Sequence, residues 1–220
     1  MDAATRRQLA RQVLSGYVSG PDAPARATTL ALAKVAGARA IVLVEGISDQ
    51  IALETLAGRR GRNLTSEGVA ILPVGGAQAI AGYLHRFGPK EADLRVAGLC
   101  DVAEEDHLRR ALLAAGVGAA HTRTDMERLG FHVCVEDLED ELIRAVGPAT
   151  VESLFAAHGD LGSFRTLQKQ PEWRARDLEA QMRRFLGSGA RRKLRYARLL
   201  VGTVDLDRVP HPLDGVLDHV

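Results

Sequence analysis

Two apolar patterns alternate along the first two thirds of the chain. Short unbroken runs, "RAIVLVE", "VAILPV", "LRVAGLC" and "GFHVCV", read as strands buried on both faces. Between and around them, apolar residues recur at helical spacing in "ATTLALAKVAG", "SDQIALETLAGRRG", "GGAQAIAGYLHRF", "EEDHLRRALLAAG" and "EDLEDELIRAVG". Gly37 closes the first of these helices. Ser48 is placed to N-cap the second and Gly58 to end it, and Gly75-Gly76 supplies the tight turn before the third. Continuous apolar strands alternating with helices predict an α/β fold: a parallel sheet of about four strands flanked by helices.

After Gly147 the strand pattern stops. "PATVESLFAAHG", "GDLGSFRTLQKQ", "EWRARDLEAQMRRFLG" and "GARRKLRYARLLVG" all read as helices, several of them rich in arginine. The closing "VDLDRVPHPLDGVLDHV" contains two prolines and reads as an irregular tail or short docking segment. The expected division is N-terminal helices over residues 1–37, an α/β core over 38–147, and a helical C-terminal part with an irregular tail over 148–220.

Parallel sheets place function at the carboxyl ends of their strands. Glu45 and Asp101 each directly follow a strand, and Asp49 lies four residues beyond Glu45 in the first turn of a helix. "VEDLEDEL" adds Glu136, Asp137, Glu139, Asp140 and Glu141 after the fourth strand. Two ionised carboxylates at 4 Å repel by about 4 kcal/mol at an effective dielectric near 20. Either one keeps a proton or a cation compensates. Oxygen-only ligands suit a hard ion, Mg²⁺ or Mn²⁺. Acids in a first helical turn also meet the macrodipole favourably, which alone would account for Asp49, Glu104, Glu105 and Asp137. Glu45 is different: it closes an apolar strand before glycine, where no cap calls for it.

Charge and composition narrow the picture only slightly. The 220 residues carry 29 Lys+Arg against 28 Asp+Glu, so any nucleic-acid surface must come from local clustering. An aromatic content of 4% argues against stacking platforms for single strands. The start has no apolar stretch of a signal peptide, and no run approaches the ~18 residues of a membrane span. Cys100 and Cys134 sit inside strand-like runs and read as buried thiols of a cytoplasmic protein. The seven histidines show no metal-ligand spacing.

"IVLVEGISDQIALETLA" resembles the opening signature of the Toprim (topoisomerase–primase) domain, and specifically that of the OLD-family (overcoming lysogenization defect) nucleases. The "VGGAQAI" turn, the strand "VAGLCD", the run "HVCVEDLEDELI" and the late "ARRKLRYARLL" follow in that family's order, over residues ~38–202. The resemblance implies a Rossmann-like sheet and Mg²⁺- or Mn²⁺-dependent endonucleolytic cutting of DNA, with RNA as an alternative. It makes Glu45 a catalytic residue and shared metal ligand. Asp49, Asp101 and Glu139 become metal ligands, and Lys193 a catalytic cation. Arg191, Arg192 and Arg195, clustered about Lys193, would bind phosphates. Ala103 stands where the family's Asp-x-Asp motif has its second acid, and Glu104 or Glu105 is expected to reach back, Glu105 being taken as the ligand. No "GxxxxGK[ST]" phosphate loop is present, so any ATPase partner is expected as a separate chain; a homodimer is also allowed. Two rival expectations are an interaction module that has lost its second metal and docks on an ATPase or DNA, and a metal-dependent nucleotidyl transferase or phosphohydrolase.

Overall fold

The computed structural model describes residues 2–18, 20–88 and 94–220. Helices α1 (Ala3–Val13) and α2 (Ala23–Val35) precede β1 (Ala40–Val44), α3 (Ile47–Arg59), β2 (Val69–Pro73) and α4 (Ile80–Phe87). Then come β3 (Arg95–Asp101), α5 (Glu105–Ala114), α6 (Arg123–Arg128), β4 (Phe131–Cys134) and α7 (Leu138–Val146). Five helices complete the chain: α8 (Pro148–Ala157), α9 (Leu161–Gln168), α10 (Leu178–Gly187), α11 (Ala190–Thr203) and α12 (His211–Asp218). The strands form one parallel sheet in the order β2-β1-β3-β4, so β1 and β3 are central.

Strand alternation divides the core between the two faces of the sheet. Ile41, Leu43, Leu72, Cys100 and Phe131 pack on one side with residues of α4 and α5. Val42, Val44, Ile71, Leu99 and Cys134 pack on the other with α3, α7 and the later helices, down to Leu217 of α12. The helices beyond Gly147 therefore share a core with the sheet. Both cysteines are buried free thiols. Among the described residues no helix is long and apolar enough to cross a membrane.

Three local expectations need correction. The expected irregular tail is an ordered helix, α12, whose Leu213, Val216 and Leu217 are buried. Its prolines do not break it: Pro210 lies just before the first turn and Pro212 within it, where no backbone donor is required. The N-cap of α3 is Gly46 rather than Ser48, and Asp49 Oδ2 accepts the Gly46 N–H at 2.9 Å. Finally, α6 was not anticipated. Its capping box is legible in "TRTD": Thr122 Oγ1 accepts the Asp125 N–H and Asp125 Oδ2 accepts the Thr122 N–H.

The later helices are held by aromatic and charged contacts. Phe155 stands at the centre of Phe164, Phe185 and Tyr196, with ring centroids 5.0 to 5.1 Å away. Beside them Arg195 is ion-paired with the buried Asp160, which also accepts the Tyr196 hydroxyl at 2.9 Å. At the far end of α3, Arg59 donates to the Val201 and Val204 carbonyls. Arg60 pairs with Asp214, and Arg62 donates to the carbonyls of Leu217 and Val220. On β4, burial pushes the imidazole of His132 down to about 4.

The sheet is tightest at Gly98, which pairs with Phe131 across β3 and β4. A Cβ there would stand 2.8 Å from the Phe131 ring and 3.1 Å from the Leu43 carbonyl oxygen. Phe131 is fully buried and the second neighbour is backbone, so neither yields easily. Gly98→Ala is accordingly expected to lower stability by about 1–3 kcal/mol, read as a fall in the urea midpoint at unchanged m-value.

Candidate metal and catalytic site

Each acid at the carboxyl edge of the sheet is delivered by a separate element. Glu45 leaves the end of β1, and its backbone carbonyl accepts the N–H groups of both Gly75 and Gly76. Those glycines adopt φ of 82° and 117°, which bends the chain sharply after β2 and fixes the Glu45 backbone. Asp49, capping α3, is buried. Asp101 ends β3, and Glu139 lies in the first turn of α7 after β4. Lys193 comes from α11, which packs across α3 and α7. It sits three residues before Tyr196 and four before Ala197, on the buried face of its helix.

The acids sense one another. Burial first, then Asp49 and Glu45, push Asp101 up to about 8. Burial pushes Glu139 up to about 7 against the pull of Lys193, with Asp137 and Asp49 adding to the rise. Glu45 and Asp49 are raised for the same first reason, burial, and Lys193 opposes the rise in both. Burial alone would lower Lys193, but Glu139, Asp49 and Asp101 hold it above its ordinary value. Its Nζ lies 3.2 Å from Glu139 Oε2. Glu45 and Asp101 make no ion pair with any described residue, and the charge of Glu45 helps raise Asp101.

The acidic run after β4 sorts itself by partner. Glu136 and Asp137 pair with Arg183, and Asp137 also caps α7 through the Asp140 N–H. Asp140 and Glu141 pair with Arg144. Glu139 alone turns to Lys193, and its Oε1 is sealed from solvent without a hydrogen-bond partner.

Several expected roles change. Glu105, taken as a metal ligand, is instead ion-paired through one oxygen with Arg109 and through the other with Arg123, at 2.8 Å for the latter. Both carboxylate oxygens are thereby occupied. Glu104 is the acid that stands near the gap left by the exposed Ala103: its charge raises Glu45, and its Oε2 is buried and unpartnered. Of the three arginines expected on nucleic acid, Arg195 is buried against Asp160. Arg192 stacks 3.9 Å from the Phe185 ring centroid and donates to the Phe185 carbonyl and Ser188 Oγ. Arg191 is exposed and lines, with Lys193, Glu45 and Asp49, a cavity of about 520 Å³. Asp137, expected among the acids after the fourth strand but given no site role, adds its charge to the cluster and raises Glu45, Asp49, Asp101 and Glu139. Its position as an N-cap directly after a strand was the available signal.

A family model described as the Overcoming lysogenization defect protein-like TOPRIM domain matches residues 38–102. Residues 38–102 are those of an OLD-like Toprim domain. The matched segment holds Glu45, Asp49 and Asp101. The C-terminal region of the OLD protein of Xanthomonas campestris pv. campestris has a similar structure, with a TM-score of 0.62 at 21% identity, covering 85% of this chain and 94% of that one. The C-terminal region of the Burkholderia pseudomallei OLD protein gives a TM-score of 0.60 at 20% identity, covering 83% and 96%. At such identities the likeness shows a shared fold. No curated protein matches the chain.

The donors of the Toprim edge fit a hard dication. All are carboxylate oxygens, and two of them, Glu139 Oε1 and Glu104 Oε2, are buried without partners. No three of these acids bring ligand atoms within 4.8 Å of one another; the one described trio that does so is Glu127, His132 and His211, away from this edge. Lys193 is the cation that opposes the rise of Glu45, Asp49, Asp101 and Glu139.

The raised acids make stability fall with pH. An acid protonated more readily in the folded state contributes stability below its unfolded value, near 4, and loses it as pH rises through the folded value. For Asp101 that window ends near 8. In chelator-treated buffer, the stability gained by Asp101→Asn is expected to grow by on the order of 1–2 kcal/mol between about pH 5 and pH 8, after discounting for solvent screening. Urea titrations at the two pH values measure it, and a constant gain would contradict the mutual burial of these acids.

Proposed function

We propose that the chain is a Mg²⁺- or Mn²⁺-dependent endonuclease that hydrolyses phosphodiester bonds in DNA. The observation that carries this reading is the convergence of Glu45 and Asp49 after β1, Asp101 at the end of β3 and Glu139 after β4 upon one ammonium group, Lys193, beside an open cavity.

Glu45, Asp49, Asp101, Glu104 and Glu139 would hold the metal, which when bound stabilises charge at the scissile phosphate and lowers the pKa of attacking water. Lys193 Nζ, kept charged by its acidic neighbours, donates to a non-bridging phosphate oxygen as negative charge builds there. Glu45, raised by burial and by Asp49, accepts a proton from water more readily than an ordinary carboxylate. Arg191, exposed at the cavity and in no ion pair with described residues, binds a flanking phosphate without reading sequence.

Supercoiled plasmid with Mg²⁺ or Mn²⁺ provides the test. Glu45→Gln is expected to abolish nicking, and Lys193→Ala to slow it roughly 10²–10³-fold, the loss typical of an electrostatic donor. Glu105→Gln is expected to cut at close to the wild-type rate, because that side chain is engaged by arginines. Cutting that persists in Glu45→Gln overturns the assignment.

A further inference from the structure

A second group of ligating side chains lies away from the acidic edge. We propose that Glu127 of α6, His132 of β4 and His211 of α12 form a binding site for a borderline transition-metal dication, Zn²⁺ foremost, that fastens α12 to the edge of the sheet. One ligand atom from each residue lies within 4.8 Å of the other two.

His132 is the built part of this site. It is 5% exposed, and its Nδ1 is sealed from solvent with no hydrogen-bond partner. A buried imidazole nitrogen without a partner is a cost to the folded state, and lone-pair donation to a metal removes it. The chain also keeps space for the ring: a Cβ at Gly215 of α12 would stand 2.1 Å from His132 Cε1, so only glycine fits there. The His211 ring meets that of His132 edge-on, with centroids 5.6 Å apart.

The remaining two ligands can adjust. His211 Nδ1 faces Glu127 Oε1 at 3.8 Å, too far for a hydrogen bond. Two ligand atoms on one tetrahedral Zn²⁺, each bonded at about 2.0–2.1 Å, stand about 3.4 Å apart. Closing the difference takes only small rotations of the exposed His211 and half-buried Glu127 side chains. Two imidazoles and one carboxylate match Zn²⁺ and its neighbours rather than Mg²⁺, which separates this site chemically from the acidic edge. Its fourth position falls to water, on the side where His211 and Glu127 line a cavity with Arg123, Arg144 and Arg208.

The experiment uses untagged full-length chain, stripped with chelator and then held in excess Mg²⁺ so that the acidic edge is supplied. Zn²⁺ is expected to remain bound at a single equivalent after gel filtration and to raise Tm by several degrees. Co²⁺ is expected to give visible d–d absorption. His211→Ala and Glu127→Gln, both outside the buried core, should weaken Zn²⁺ binding at least about tenfold and bleach the Co²⁺ spectrum, with metal-free Tm unchanged. Asp101→Asn should leave both signals intact. No bound Zn²⁺ in the wild type, binding that survives His211→Ala, or binding lost in Asp101→Asn would each overturn the site.

Discussion

Electrostatic compensation by Lys193 is the constraint on which the rest of the molecule turns. Three strand ends of the parallel sheet, those of β1, β3 and β4, deposit carboxylates along one edge, and burial raises them all. A single ammonium opposes the rise of Glu45, Asp49, Asp101 and Glu139 together. That cation does not belong to the sheet. It arrives on α11, and α11 must be held against α3 and α7 with enough rigidity to keep Nζ within reach of Glu139.

The helices after Gly147 supply that rigidity. The cluster of Phe155, Phe164, Phe185 and Tyr196 fixes α8, α9, α10 and α11 relative to one another. Asp160 ties Arg195 and Tyr196 at the turn of α11 that follows Lys193. Arg195 thereby has a structural task that its neighbour in sequence, Lys193, does not share. Two residues apart on a helix means opposite surroundings, one side chain in the acidic crevice and the other in the core.

What could be read in the sequence follows from which signals are local. The four strands are continuous apolar runs, and a run's meaning does not depend on its partners, so the parallel sheet was legible. Glu45 was visible because an acid at the end of such a run has no local purpose. Ion pairing is not local. Glu105 differs from Glu104 by one helical position, and only the fold shows that Arg109 and Arg123 take the first while Oε2 of the second stays unpaired. The acids after β4 are likewise sorted by Arg144 and Arg183, the latter far along the chain. The prolines of the last segment start its helix rather than break it, and Leu213, Val216 and Leu217 had a core to enter that the segment's own sequence does not show.

The arginines that close α3 give that helix two ends with different tasks. Asp49 lies near one end of this thirteen-residue helix, about 20 Å long, and Arg59, Arg60 and Arg62 close the other; the acceptors of Arg59 and Arg60 lie in or beyond α11, while Arg62 also pairs with the nearby Glu67. In a nascent chain Arg59 and Arg60 therefore emerge well before the segments they grip. In the folded protein the late helices close over these side chains as a clasp, at the opposite end of the same rod that positions the acids.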